Sequence, residues 1–251
     1  MRPIPKTFIQ RLKYVGPGVI VAGSVIGSGE LILTSLLGAL AGFTFFWWIL
    51  LSIGSKSIIQ AELARYVIVK KRTFLEIFSE IPGLAIQIRQ KKTSWVVWFL
   101  FLGVIPGVAG GGGIVGSAAQ AGHMLLPLIS ENLWVIIICL LTWLILYWGS
   151  YKSLEKVLLL MVITFSVITL IISIVMQTTE YQVNIDQILH GLSFDFKLEY
   201  LALAIAVYGY TGINFGEIMA YTYWCLEKGY AKEAGNKNEG IKSWIKVMQT
   251  D

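Results

Sequence analysis

Two acidic side chains stand in the middle of apolar sequence, each beside a glycine: Gly29-Glu30-Leu31 and Gly216-Glu217-Ile218. A carboxylate at the centre of a bilayer costs roughly 2.5–3.5 kcal/mol on insertion scales, so such groups face a bundle interior or a water-filled cavity. Gly27, Ser28 and Gly29 around the first acid, and Gly212 and Gly216 around the second, weaken the helix where each charge lies. An unwound helix exposes backbone carbonyls, and an adjacent carboxylate adds the negative charge a hard cation requires. Gly27, Ser28, Glu30, Thr211, Asn214 and Glu217 are therefore the candidate substrate-binding or ion-binding residues, with Glu30, Glu217 and Asn214 the candidate metal ligands. Lys56 is the candidate counter-charge. The competing reading makes both glutamates structural, either neutral or paired with Lys56, and joining helices by hydrogen bonds.

The elements that must position these residues are membrane spans. The 251-residue chain has a mean hydropathy of +0.70 and 14% charged residues, against roughly 25% in soluble domains. Its apolar runs approach or exceed the roughly 20 residues that cross about 30 Å of hydrocarbon. Six are expected, near residues 16–42, 44–66, 94–119, 132–149, 156–177 and 198–224. The chain thus reads as an all-α integral membrane protein, a single transmembrane domain over residues 1–251, with helices 1 and 6 interrupted. The connection over residues 67–93 carries Phe74, Ile77, Phe78 and Ile81 at helical spacing, which predicts a short interfacial helix.

Net charge is +5, yet the bases are not gathered on one soluble face as a nucleic-acid partner would need. All but Lys56 and Lys197 of the 20 Lys and Arg residues fall before the first expected span, at or beyond the end of the second and before the third, between the fourth and the start of the fifth, or after the sixth. By the positive-inside rule both termini are cytoplasmic, in a multi-pass protein of the cell membrane. The opposite loops carry Glu131, Glu180, Asp186 and Asp195.

Hydrolytic, redox and nucleotide-binding motifs are absent, which argues against an enzyme. Cys139 and Cys225 lie in or near separate spans and support neither a disulfide nor a zinc site. His123 and His190 are expected in external loops without ligands at metal-binding spacing. The glycines from Gly103 to Gly116, including Gly103/Gly107 and Gly112/Gly116, predict close helix packing. Glu62 and Arg65, one turn apart, predict a structural ion pair.

Several of these segments together resemble the Nramp family of metal-ion transporters, in particular a divergent bacterial Nramp-like branch. Gly16-Pro17-Gly18 is followed by Gly27-Ser28-Gly29-Glu30 at the interval where typical members carry Asp-Pro-Gly-Asn. Gln60-Ala61-Glu62-Leu63-Ala64-Arg65-Tyr66 resembles the end of that branch's second helix, and residues 221–230, Tyr221 to Tyr230, the end of its sixth. The resemblance implies a LeuT-like fold of inverted repeats, in which helices 1 and 6 are broken around the substrate. Gly29-Glu30 and Gly216-Glu217 then fall on the first helix of each repeat.

The sequence departs from that pattern where it matters for metal choice. Gly27 and Glu30 stand in place of the family's Asp and Asn, and Asn214-Phe215-Gly216-Glu217 in place of Met-Pro-His-Asn. Family members have about ten to twelve helices, so this chain is expected to be an amino-terminal part: the first repeat plus helix 6, with helices 7 onward missing or on a second polypeptide. The expected function is secondary active transport of a cation, most plausibly a divalent metal ion. Alternatives are a symporter of a small organic substrate with Na⁺ or H⁺, and a non-transporting membrane scaffold or assembly subunit. No cofactor is expected beyond a transported or coupling cation, and the expected partners are the lipid bilayer and the cargo, with no nucleic acid.

Overall fold

The computed structural model describes residue 5 and residues 7–25, 29–88 and 91–251. Short polar caps and glycines cut the apolar sequence into helices, in chain order α1 (Phe8–Leu12), α2 (Pro17–Val25), a π-helical turn (Gly29–Thr34), α3 (Ser35–Ala41) and α4 (Phe46–Lys70). There follow α5 (Phe74–Phe78), the strands β1 (Ala85–Ile88) and β2 (Lys91–Ser94), α6 (Trp95–Leu125), α7 (Glu131–Trp148) and α8 (Tyr151–Met176). The remainder is α9 (Ile185–His190), a 3₁₀ turn (Leu198–Tyr200), α10 (Leu201–Tyr210), α11 (Phe215–Glu227), α12 (Tyr230–Ala234) and α13 (Asn238–Thr250).

Helix occupies each of the six expected spans. Among the described residues, Trp95–Leu125, Ser153–Met176 and Leu198–Glu227 are long and apolar enough to cross a membrane. A fourth crossing arises if Pro17–Val25 and Gly29–Ala41, which meet at a 50° bend, form one span. Helix α4 has the length, at 25 residues, but carries Lys56, Glu62, Arg65 and Lys70; α7 is shorter, at 18 residues.

The chain divides into two compact units, one of Met1–Lys71 with Glu155–Asp251 and one of Arg72–Leu154. The first holds both glutamates. One of its cores gathers Val21, Ala64, Tyr221, Tyr230, Trp244 and Val247. Gly240, Trp244, Val247 and Met248 are the buried residues of α13, and their spacing of four, three and one places them on one helical face. A second core joins Leu37, Ala41 and Phe45 to Ala204 and Val207 of α10.

The connection over residues 67–93 contains the expected short helix, α5, opened by a reciprocal cap between Thr73 and Glu76; it stops at Phe78, so Ile81 lies outside it. The chain then pairs Ala85 with Ser94 and Ile86 with Thr93 in an antiparallel hairpin. Two expectations for the second unit are corrected. The glycine pairs of α6 do not mark a close contact among the described residues. A Cβ added at Gly103, Gly107, Gly112 or Gly116 would meet open space. The close approach is at Gly122, where a Cβ would press on the Trp134 ring of α7 from 2.7 Å. Because α6 runs on to Leu125, His123 lies in its last turn rather than in a loop, with Nδ1 2.7 Å from the Ile129 carbonyl oxygen.

Candidate transport site

The two helix interruptions lie side by side in the first unit. Helix α2 ends at Val25 and the backbone is described again at Gly29, in a π-helical turn, a geometry frequent at functional sites. Gly27 and Ser28 lie outside the described residues. Helix α10 ends at Tyr210 and α11 begins at Phe215. A Cβ at Gly29 would collide with the Tyr210 carbonyl oxygen, so glycine is what lets the two breaks touch. Gly212 has φ +70°, in the left-handed region that favours glycine.

Polar contacts stitch the breaks together. The Glu30 carboxylate accepts a hydrogen bond from the Gly212 N–H at 2.7 Å. Thr34 Oγ1 donates to the Gly29 carbonyl at 2.8 Å and lies 2.9 Å from Thr211 Oγ1. At the start of α11, Asn214 Oδ1 accepts from the Gly216 and Glu217 N–H groups at 2.7 and 3.3 Å, while Glu217 Oε2 accepts from the Asn214 N–H at 2.6 Å. That reciprocal arrangement is a capping box. Both expected ligands of the second break thus already serve its helix. One amide contact does not exhaust a carboxylate, whose two oxygens offer about four lone-pair sites.

Helix α4 supplies side-chain donors to carbonyls along α10 and just past its end. Trp48 Nε1 donates to Ala204 O and Ser52 Oγ to Tyr208 O, both at 2.8 Å. Lys56 Nζ donates to Gly209 O and Thr211 O, both at 3.0 Å. Spaced four residues apart, Trp48, Ser52 and Lys56 lie along one face of α4. Lys56 is 8% exposed and Thr211 4% exposed, and both glutamates lie within electrostatic reach of the ammonium. The direct contacts of Lys56 are therefore main-chain carbonyls.

Among the described residues no group of three or more His, Cys, Asp or Glu side chains converges as a metal site. A cation held here would draw on carbonyl, hydroxyl and amide oxygens beside the carboxylates, a donor set suited to hard ions. Glu62 and Arg65 form the expected ion pair, at 2.6 Å on the exposed side of α4.

Residues not singled out from sequence form a second polar cluster at the far end of α2. The Asp251 carboxylate accepts from the N–H groups of Gly16 and Gly18 at 2.6 and 2.9 Å, and from Tyr221 Oη at 3.2 Å. Burial pushes the Asp251 carboxyl above the ordinary aspartate value, against the opposing pull of the two backbone donors. Lys228 and Glu155 pair nearby at 2.7 Å, close enough to Gly16 that a Cβ there would strike both side chains.

Two adjoining helix breaks with a carboxylate at each, in a chain whose described residues include three helices long and apolar enough to cross a membrane, point to a multi-pass helical membrane protein. A family model described as natural resistance-associated macrophage protein-like, Nramp, matches residues 18–240, and the chain belongs to this family of metal-ion transporters. Its members are transporters rather than enzymes. No curated protein and no solved structure matches the chain.

Proposed function

We propose that this chain is the amino-terminal part of a secondary active transporter of a hard divalent cation, with Glu30 and Glu217 at the cargo site. One observation carries the reading: the two breaks adjoin, with the acid of the first bonded to the backbone of the second. Glu30, Glu217, Asn214 and Thr211 would supply oxygen ligands, and Gly27 and Ser28 of the first break would join them. Six crossings with both termini cytoplasmic, in the arrangement of a first inverted repeat plus helix 6, complete the proposal. Helices 7 onward, in the same or a second polypeptide, would close the cargo pathway.

The absence of thiolate, thioether and imidazole from both break motifs favours magnesium and manganese over cadmium. Calorimetric titration of the purified full chain in lipid nanodiscs tests this, with manganese, magnesium and cadmium as the three ligands. Manganese or magnesium binding tighter than cadmium is expected. A preference for cadmium would place the ligands elsewhere.

A further inference from the structure

The carbonyl end of α10 has the makings of a monovalent cation site, and it is already filled by a side chain. A helix C-terminus carries the negative end of the macrodipole, and unwound carbonyls at half-helix ends coordinate coupling ions in transporters built on broken helices. Here the carbonyls are those of Gly209 and Thr211, each 3.0 Å from Lys56 Nζ. Glu30 and Glu217 add negative charge within reach of the same ammonium, and the Tyr208 ring lies 5.5 Å from it. In a bilayer, carbonyls without partners cost several kcal/mol each, so something must satisfy them. A free ion would do so only at sufficient concentration; an ammonium tethered on α4 is held beside them by its own chain.

We propose that the Lys56 ammonium is a resident cation that takes the place of an inorganic coupling ion at the second helix break, so that this protein binds no Na⁺ there unless Lys56 is removed. The occupied position adjoins the cargo site proposed at Glu30, Glu217 and Thr211, but its occupancy follows from the contacts of Lys56 alone. Removing the side chain beyond Cβ opens a space shaped for propylammonium, the missing fragment, or for a small alkali cation held by the two carbonyls.

The test is thermal unfolding of the full chain in nanodiscs, followed by tryptophan fluorescence, in sodium, potassium or choline chloride at one ionic strength. The wild-type midpoint is expected to be the same in all three salts. The Lys56→Ala midpoint is expected to fall in choline chloride and to regain at least half of the loss in sodium chloride or with added propylammonium. A sodium-specific rise in the wild type, or a Lys56→Ala midpoint that responds to neither cation, overturns the proposal. Should Lys56→Ala not accumulate folded, Lys56→Arg and the wild type decide: equal midpoints in sodium and choline for both support it, and a sodium-specific rise in either defeats it. Manganese titration of the same wild-type sample reports separately on the cargo site, so either result can fail while the other stands.

Discussion

Glu30 and Gly212, 182 positions apart in sequence, are joined by a 2.7 Å hydrogen bond from the Gly212 N–H to the Glu30 carboxylate. The acid of one helix break therefore orders the backbone of the other. Gly212 makes this contact with φ at +70°, a left-handed backbone that glycine adopts without the penalty a Cβ brings. Gly212→Ala should lower stability by roughly 1–2 kcal/mol, the cost of a left-handed backbone for a residue bearing a Cβ. Gly29→Ala should be worse, since its Cβ meets the Tyr210 carbonyl. Thermal midpoints of the two variants check the order.

Glu30→Gln and Glu217→Gln should each weaken manganese binding at least tenfold, about 1.4 kcal/mol, by removing charge while keeping size. Both should insert normally, because a glutamine oxygen can still accept from Gly212 N–H or close the capping box with Asn214. Calorimetry beside a membrane-insertion assay reads both effects. Affinity unchanged in both variants would make the glutamates structural.

Ser52→Ala should destabilise the protein by about 1–3 kcal/mol, the penalty for a buried acceptor left without its donor. The orphaned group is the Tyr208 carbonyl, 2.8 Å from Ser52 Oγ in the wild type. Ser52→Thr keeps a hydroxyl and should recover part of the loss; equal midpoints for the alanine variant and the wild type would remove Ser52 from this role.

Asp251 gives a pH dependence with a definite sign. Burial raises its carboxyl in the folded protein relative to the unfolded chain. The contribution of this group to stability is thus full below the ordinary aspartate range and is lost as pH rises from about 4 through the raised folded value. Asp251→Asn, which cannot titrate, should flatten the unfolding midpoint against pH across that window. A slope identical to wild type would assign the effect to other groups.

Reporter fusions after Asp251 and at His190 should report opposite sides of the membrane, with the fusion after Asp251 cytoplasmic. The reason is the sorting of Lys and Arg residues to one set of loops. Both reporters on one side would revise the crossing count.

An acid beside glycine was readable because a charge is unusual in apolar sequence, and the structure has a 50° bend between Pro17–Val25 and Gly29–Ala41 and the end of α10 at Tyr210. The capping box at Asn214 was equally present as an Asn-x-x-Glu pattern, although the sequence alone did not say whether those side chains serve the helix or a ligand. The partners of Lys56 were illegible for a physical reason: they are main-chain carbonyls, which every residue carries and no residue type announces. The hairpin at residues 85–94 follows a segment whose apolar spacing fits helix, and Pro82-Gly83 was the signal that the period had changed. The Asp251 contact joins residues more than 230 positions apart and has no local signature.

The donor ladder on α4 also bears on how the protein is made. Trp48, Ser52 and Lys56 leave the ribosome well before residues 204–211, whose carbonyls they satisfy. During that interval α4 sits in or near the lipid with its donors waiting, and Glu30 is the acidic break residue already synthesised. The ten residues of α10 are too few to cross a bilayer alone. The early helix thus carries the donors before the late, short one exists, and a nascent chain halted before residue 201 lacks the two carbonyls that Lys56 contacts in the folded protein.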